Sequence, residues 1–266
     1  MTKNAKEIRK NILKISHRVK SAHIGSNLSC TDILSALYFD IINIPRVETS
    51  QYATRDIFIL SKAHSALALY CTLYQKGLME KVELNSYYTD EGLLPAHLDR
   101  FASPYIEVSA GSLGHGLPMA LGYALALNDN PMQRCVFCLM GDGEVQEGSV
   151  WEAAMLAPKL NLGNLVAIID YNNLQGYGRA TELVSFEPLR DKWLAFGWEC
   201  TIVDGHSETE ITSKIKYHLK NSPNKPFCLI CKTIKGKGVS FMEDKLEWHY
   251  YAISDEEYKQ ALKELL

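Results

Sequence analysis

The chain has 266 residues, 47% hydrophobic and 22% charged, enough apolar material to bury a substantial core in a single open α/β domain spanning residues 1–266. Its formal net charge of −3 argues against nucleic acid or an anionic membrane surface as a partner. No run approaches the ~18 apolar residues of a membrane span, and the basic N-terminal segment has no continuous apolar core, so no signal peptide is expected and a cytoplasmic location is the default.

In chain order, Ile8, Ile12, Ile15 and Val19 recur at helical spacing and predict a helix over 5–20. The polar segment SAHIGSNLS reads as a loop. A helix follows over 31–42, with Asp32 in its first turn. The short run DIFIL ending at Leu60 reads as a strand, and helices are expected over 65–77 and 83–88. Residues 92–109 look irregular. Gly111, Gly114 and Gly116 lead into a helix of small residues over 117–127. A buried strand over 136–140 runs straight into Gly141, Asp142 and Gly143. After a helix over 149–160, a second buried strand over 165–169 ends at Asp170, Tyr171, Asn172 and Asn173. Helix 187–196, strand 199–203, helix 208–220, strand 227–232, a Lys/Gly loop and a helix over 255–265 complete the chain. Uniformly apolar strands alternating with helices predict an open, mostly parallel sheet covered on both faces. Such sheets bind ligands beyond the carboxyl ends of their strands.

Seven cysteines lie mostly in apolar segments and read as buried thiols. Cys135 with Cys138, and Cys228 with Cys231, have the spacing of zinc ligands. Inside a strand, however, i and i+3 point to opposite faces, so neither pair chelates easily.

The sharpest motif is GDGEVQEG, residues 141–148, directly after a buried strand. The Asp142 carboxylate is a hard oxygen ligand suited to Mg²⁺ or Ca²⁺, and Gly141 and Gly143 allow the backbone to approach an anion closely. After the next strand, Asn172 offers an amide oxygen and Leu174 a backbone carbonyl. Together these three oxygens leave room in an octahedron for two phosphate oxygens and a water. A GDG turn alone is a common strand-to-loop device, and an Asn pair alone marks a turn. The combination, each after a buried strand, points to a metal held against a diphosphate.

These motifs resemble thiamine-diphosphate enzymes, and the chain closely resembles the N-terminal section of transketolase over nearly all its length. SAHIG and SKAHS look like the two histidine loops of that family. EVSAGSLGHGLPMALGYALA looks like its cofactor-contacting loop and helix. GDGEVQEGSVWEAAMLA, LGNLVAIIDYNN and KTIKGKGVSFME follow in the same order. The resemblance implies a thiamine-diphosphate-binding fold holding thiamine diphosphate and Mg²⁺, with Ca²⁺ or Mn²⁺ as substitutes, through Asp142, Asn172 and the Leu174 carbonyl. His64 and His249 match histidines that contact the cofactor diphosphate. His23 and His97 match histidines that face the sugar donor, where imidazoles donate to substrate oxygens and shuttle protons. The Gly111 carbonyl matches the acceptor for the cofactor's amino group, and Leu113 the residue packed beneath the bent cofactor. His115 stands where the family carries a different polar residue, for cofactor contact or for packing. Glu147 matches a glutamate between cofactor-binding halves, or else serves as a cap. Lys235 and Lys237 belong to a lid-like segment, and His17, His206 and His218 read as structural or solvated.

The resemblance also implies that a separate C-terminal transketolase subunit supplies the pyrimidine-binding domain, in a heterotetramer of two halves each. The expected reaction is transfer of a two-carbon ketol unit between ketose and aldose phosphates. Two departures put ordinary pentose phosphates in doubt: SAHIG replaces SGHPG, and Tyr250 follows His249 where split relatives carry glycine. The alternatives are a specialised sugar-pathway enzyme, another carboligase resembling 1-deoxyxylulose-5-phosphate synthase, or a non-catalytic organising subunit.

Overall fold

The computed structural model describes residues 1–128 and 134–265. Helix α1 (Lys3–Val19) starts where the Thr2 side chain accepts from Ala5 N, and it ends with Lys20 in the left-handed region. It buries Ile8, Ile12 and Ile15 along one stripe, as their spacing predicts. Then come α2 (Ile24–Ser29), α3 (Thr31–Ala36) continued by a π-helical turn, β1 (Ile57–Leu60), α4 (Ala66–Lys76) and α5 (Lys81–Asn85). The following segment is irregular up to α6 (Gly116–Leu127). The second half carries β2 (Val136–Gly141), α7 (Gly148–Lys159), β3 (Leu165–Tyr171), a small hairpin β4 (Leu174–Gln175) and β5 (Gly178–Arg179), and α8 (Ala180–Leu183). It closes with α9 (Leu189–Ala195), β6 (Glu199–Asp204), α10 (Glu208–Asn221), β7 (Phe227–Lys232) and α11 (Asp255–Glu264).

The five long strands form one sheet in the order β1-β2-β3-β7-β6, every pairing parallel. Side chains alternate across it. Phe58, Leu60, Phe137, Leu139, Val166 and Ile168 join a core with α1, α3, α4 and α10. Ile57, Ile59, Val136, Met140, Ala167 and Ile169 join the opposite core with α6, α7 and α9. With both faces covered, a strand must be apolar throughout, which is why these segments read as continuous apolar runs. The same alternation separates the cysteine pairs: Cys138 and Cys228 lie in one core, while Cys135 and Cys231 belong to the other. Because all strands run the same way, the segments after β1, β2, β3 and β7 emerge along one edge.

Two local features differ from the sequence expectations. The segment expected as a loop, SAHIGSNLS, contains the buried helix α2. Its polar residues, which normally favour loops, find partners in the tertiary fold. Asn27 donates to the His23 carbonyl and accepts from Ala68 N, and Ser29 donates to Asp170. The hairpin β4–β5 leaves no mark in the residue pattern, since its strands of two residues are too short for any periodicity to register.

Candidate active site

Beyond the carboxyl ends of the central strands lies a cleft of about 670 Å³. Asp142, Gly141 and Gly143 enter it after β2, Asn172 and Leu174 after β3, and Lys62 and His64 after β1, with His249 from the C-terminal segment. The Gly141–Asp170 register of the neighbouring strands brings the two post-strand turns side by side, and the Asp142 carboxylate accepts from both Gly143 N and Asn173 N.

Asp142 is buried, and burial together with the negative charge of Asp170 pushes its carboxyl up to about 6. No cationic side chain pairs with it among the described residues. A bound cation would relieve both causes of that shift. Asn172 Oδ1 accepts from Leu174 N at 2.9 Å, and the Leu174 carbonyl accepts from Lys235 Nζ at 2.8 Å. The three residues expected from the sequence therefore line one cleft, with the Leu174 carbonyl held by the ammonium of Lys235. Two further groups suit an anionic ligand. Gln146 Nε2 and Gln175 Nε2, on residues lining the cleft, are buried with no hydrogen-bond partner among the described residues. A buried donor without a partner is costly in a folded chain. A carboxylate, an amide oxygen, a carbonyl, two orphaned amide donors and glycine backbone together fit a metal–diphosphate group.

Four histidines that are far apart in sequence cluster here, and two of them, His64 and His249, line the cleft. The His23 ring centroid lies 5.3 Å from His64, 6.1 Å from His97 and 5.0 Å from His249, and His64 lies 5.5 Å from His249. Burial first, then neighbouring positive charge, lowers His23 to about 4 and His249 to about 3, and holds His64 well below its ordinary value. His23 takes the left-handed backbone conformation at φ 64°, unusual for a residue with a side chain. Asn27 holds its carbonyl at 2.8 Å, and its own N–H donates to the His249 carbonyl at 3.1 Å.

The glycine loop before α6 is fastened by Glu144. That buried carboxylate accepts from Ser61 Oγ, from Gly114 N at 3.0 Å and from Gly141 N at 3.2 Å, joining the segments after β1 and β2 to the loop. A Cβ at Gly116 would stand 2.1 Å from Ser61 Oγ, so only glycine permits this approach. Leu113 reaches the cleft wall, and Gly111 lies beside His97. Glu147 lines the cleft from the start of α7. His115 is not brought in: it is exposed at the start of α6, its Nδ1 3.1 Å from the Leu113 carbonyl.

Sequence reasoning missed Lys62 and Asp170. Their buried ion pair, at 2.5 Å, meets the cleft through Lys62, and Thr233 Oγ1 and Ser29 Oγ also donate to Asp170. Despite burial, the attraction between them raises Lys62 and lowers Asp170, so both stay charged. Lys62 stands inside the SKAHS motif; a lysine between small residues beside a loop histidine is the available signal. Of the two lid lysines, Lys235 is buried and lowered to about 8, by burial and then by Lys62. Lys237 instead pairs at the surface with Glu243. His206, read as structural, is so: it joins Asp32 and accepts from Ile234 N.

A parallel sheet with a polar cleft at its carboxyl edge defines a ligand-binding α/β domain. The transketolase thiamine diphosphate binding domain matches residues 1–265, and the chain belongs to that family. An apulose-4-phosphate transketolase subunit from Phocaeicola vulgatus is 39% identical over 257 residues, covering 97% of this chain and 90% of that protein. The 6-deoxy-6-sulfo-D-fructose transketolase subunit SqwG from Clostridium sp. is 38% identical over 261 residues, covering 98% and 94%. Transketolase from Campylobacter jejuni superposes with a TM-score of 0.88 at 26% identity, over 100% of this chain and 43% of that one. No helix among the described residues is long and apolar enough to cross a membrane.

Proposed function

We propose that the chain is the diphosphate-binding subunit of a split, thiamine-diphosphate-dependent transketolase serving a specialised sugar. The observation that carries this reading is a cleft lined by Asp142, Asn172, Leu174, His64 and His249, with His23 and His97 clustered against those two histidines. Asp142, Asn172 and Leu174 would hold Mg²⁺, while Gly141, Gly143, His64 and His249 would receive the diphosphate. Thiamine diphosphate, once bound, supplies the electron sink for breaking and making the carbon–carbon bond. His23 and His97 would donate hydrogen bonds to substrate oxygens and carry protons. Lowered to about 4, the His23 imidazole is neutral near pH 7 and can donate one hydrogen bond and accept another. Gly111 and Leu113 would orient the cofactor's rings. His115, exposed and outside the cleft lining, would serve packing or a partner surface.

The relatives named as subunits for apulose 4-phosphate and for 6-deoxy-6-sulfo-D-fructose favour a specialised sugar over ordinary pentose phosphates. They also support a separate partner subunit, which would join this chain in a heterotetramer. The decisive experiment titrates thiamine diphosphate and Mg²⁺ into the chain with and without that partner, then screens ketose donors. Transfer by the chain alone would refute the split arrangement. An absence of cofactor binding in the reconstituted complex would refute the whole reading.

A further inference from the structure

The hairpin β4–β5 carries the Leu174 carbonyl on one wall of the cleft, and the segment 246–250 carries His249 on the other. Two ties join these walls. The inner one is Lys235, whose Nζ donates to the Leu174 carbonyl at 2.8 Å and lies 2.9 Å from His249 Nδ1. The outer one is Tyr250, whose hydroxyl donates to the Gly176 carbonyl at 2.7 Å. Its ring packs edge-on against His249, with centroids 4.9 Å apart. Tyr250 is 53% exposed, so it stands at the mouth and not in the core. The tie is matched by its target: a Cβ at Gly176 would come within 2.6 Å of the Tyr250 hydroxyl. Any larger residue at 176 would push the tyrosine out of this contact.

We infer that Tyr250 and Gly176 form a latch that closes the diphosphate end of the cleft, a positioning device that retains the cofactor rather than taking part in the chemistry. The inference rests on the cofactor-binding reading above. An exposed hydrogen bond is weak enough to open and close. A closed latch holds the hairpin, and with it the Leu174 carbonyl, against the His249 segment. Retention of a bound ligand is governed by how often that contact opens.

The test uses the full-length chain and three variants: Tyr250→Phe, Gly176→Ala and the double variant. Without cofactor, Tyr250→Phe is expected to raise amide hydrogen exchange about fivefold in residues 174–179 and 246–251, the effect of losing one ordinary hydrogen bond. Exchange elsewhere should stay unchanged. With thiamine diphosphate and Mg²⁺ bound, in the partner complex, the same variant should release cofactor about fivefold faster, read by stopped-flow fluorescence against excess chelator. Gly176→Ala should open the latch at least as far in the native background but have less effect when combined with Tyr250→Phe, where the colliding hydroxyl is gone. Equal effects of Gly176→Ala in both backgrounds, or native exchange in Tyr250→Phe, would overturn the latch. Native release rates in Tyr250→Phe would overturn it while leaving the cofactor reading intact. A native complex that binds no thiamine diphosphate would sink both.

Discussion

Two aspartates at the ends of adjacent strands are both buried, yet they behave oppositely. Asp170 is enclosed by Lys62, Ser29 and Thr233 and is held below the usual carboxylate range. Asp142 has only backbone N–H groups, and burial with the nearby Asp170 charge raises it to about 6. The chain completes the surroundings of one carboxylate and leaves the other to be completed from outside. A charge closed by its own protein serves the architecture; one left in a cleft with spare coordination serves a ligand.

Replacing Asp170 should bring the largest loss. Asp170→Ala strands the buried Lys62 ammonium and is expected to cost ~3–5 kcal/mol of stability in denaturant unfolding. A loss under ~1 kcal/mol would mean that Lys62 has another means of being satisfied and would dissolve the contrast. Asp142→Asn should do the reverse. Unfolding of the free chain changes by less than ~1 kcal/mol, while affinity of the partner complex for thiamine diphosphate with Mg²⁺ falls at least ~100-fold, or ~2.7 kcal/mol, by calorimetry. Undiminished binding would assign the metal elsewhere. Chelating the metal should have a similar but reversible effect. At cofactor near 100 times its dissociation constant, the ~2.7 kcal/mol of ligand-linked stabilisation seen by scanning calorimetry should vanish with chelator and return with added Mg²⁺.

A third carboxylate sharpens the comparison at smaller amplitude. For Asp32, desolvation is outweighed by hydrogen bonds from His206 and Arg9, and its carboxyl is pulled down to about 2. Because the folded value lies below the ordinary ~4, its stabilisation is present above pH ~4 and is lost as pH falls through about 2. The stability difference between the native chain and Asp32→Asn should therefore shrink by on the order of 2 kcal/mol over that window. A difference independent of pH would remove Asp32 from the class that Asp170 represents.

The elements that position the site are largely legible in the sequence because their signals are local. Strands covered on both faces need uninterrupted apolar runs, and α1 needs one apolar stripe. Glycine around Asp142 marks a turn wherever the segment occurs, so the candidate metal-side residues can be named from the residue pattern. Helix α2 cannot, because Asn27 Oδ1 and Ser29 Oγ find partners far along the chain, in Ala68 N and Asp170.

The order of the long strands and of most helices, and the presence of candidate oxygen ligands and histidines at loop positions, are written in the residue order alone. Three outcomes required the folded chain: Lys62 neutralises Asp170 across 108 residues, Lys235 reaches the Leu174 carbonyl, and His115 faces outward while His23, His64, His97 and His249 come together. The physical reason is one of range. Backbone preference and apolar periodicity act within a few residues, whereas the pairing of buried charges depends on which strand ends the parallel sheet sets side by side.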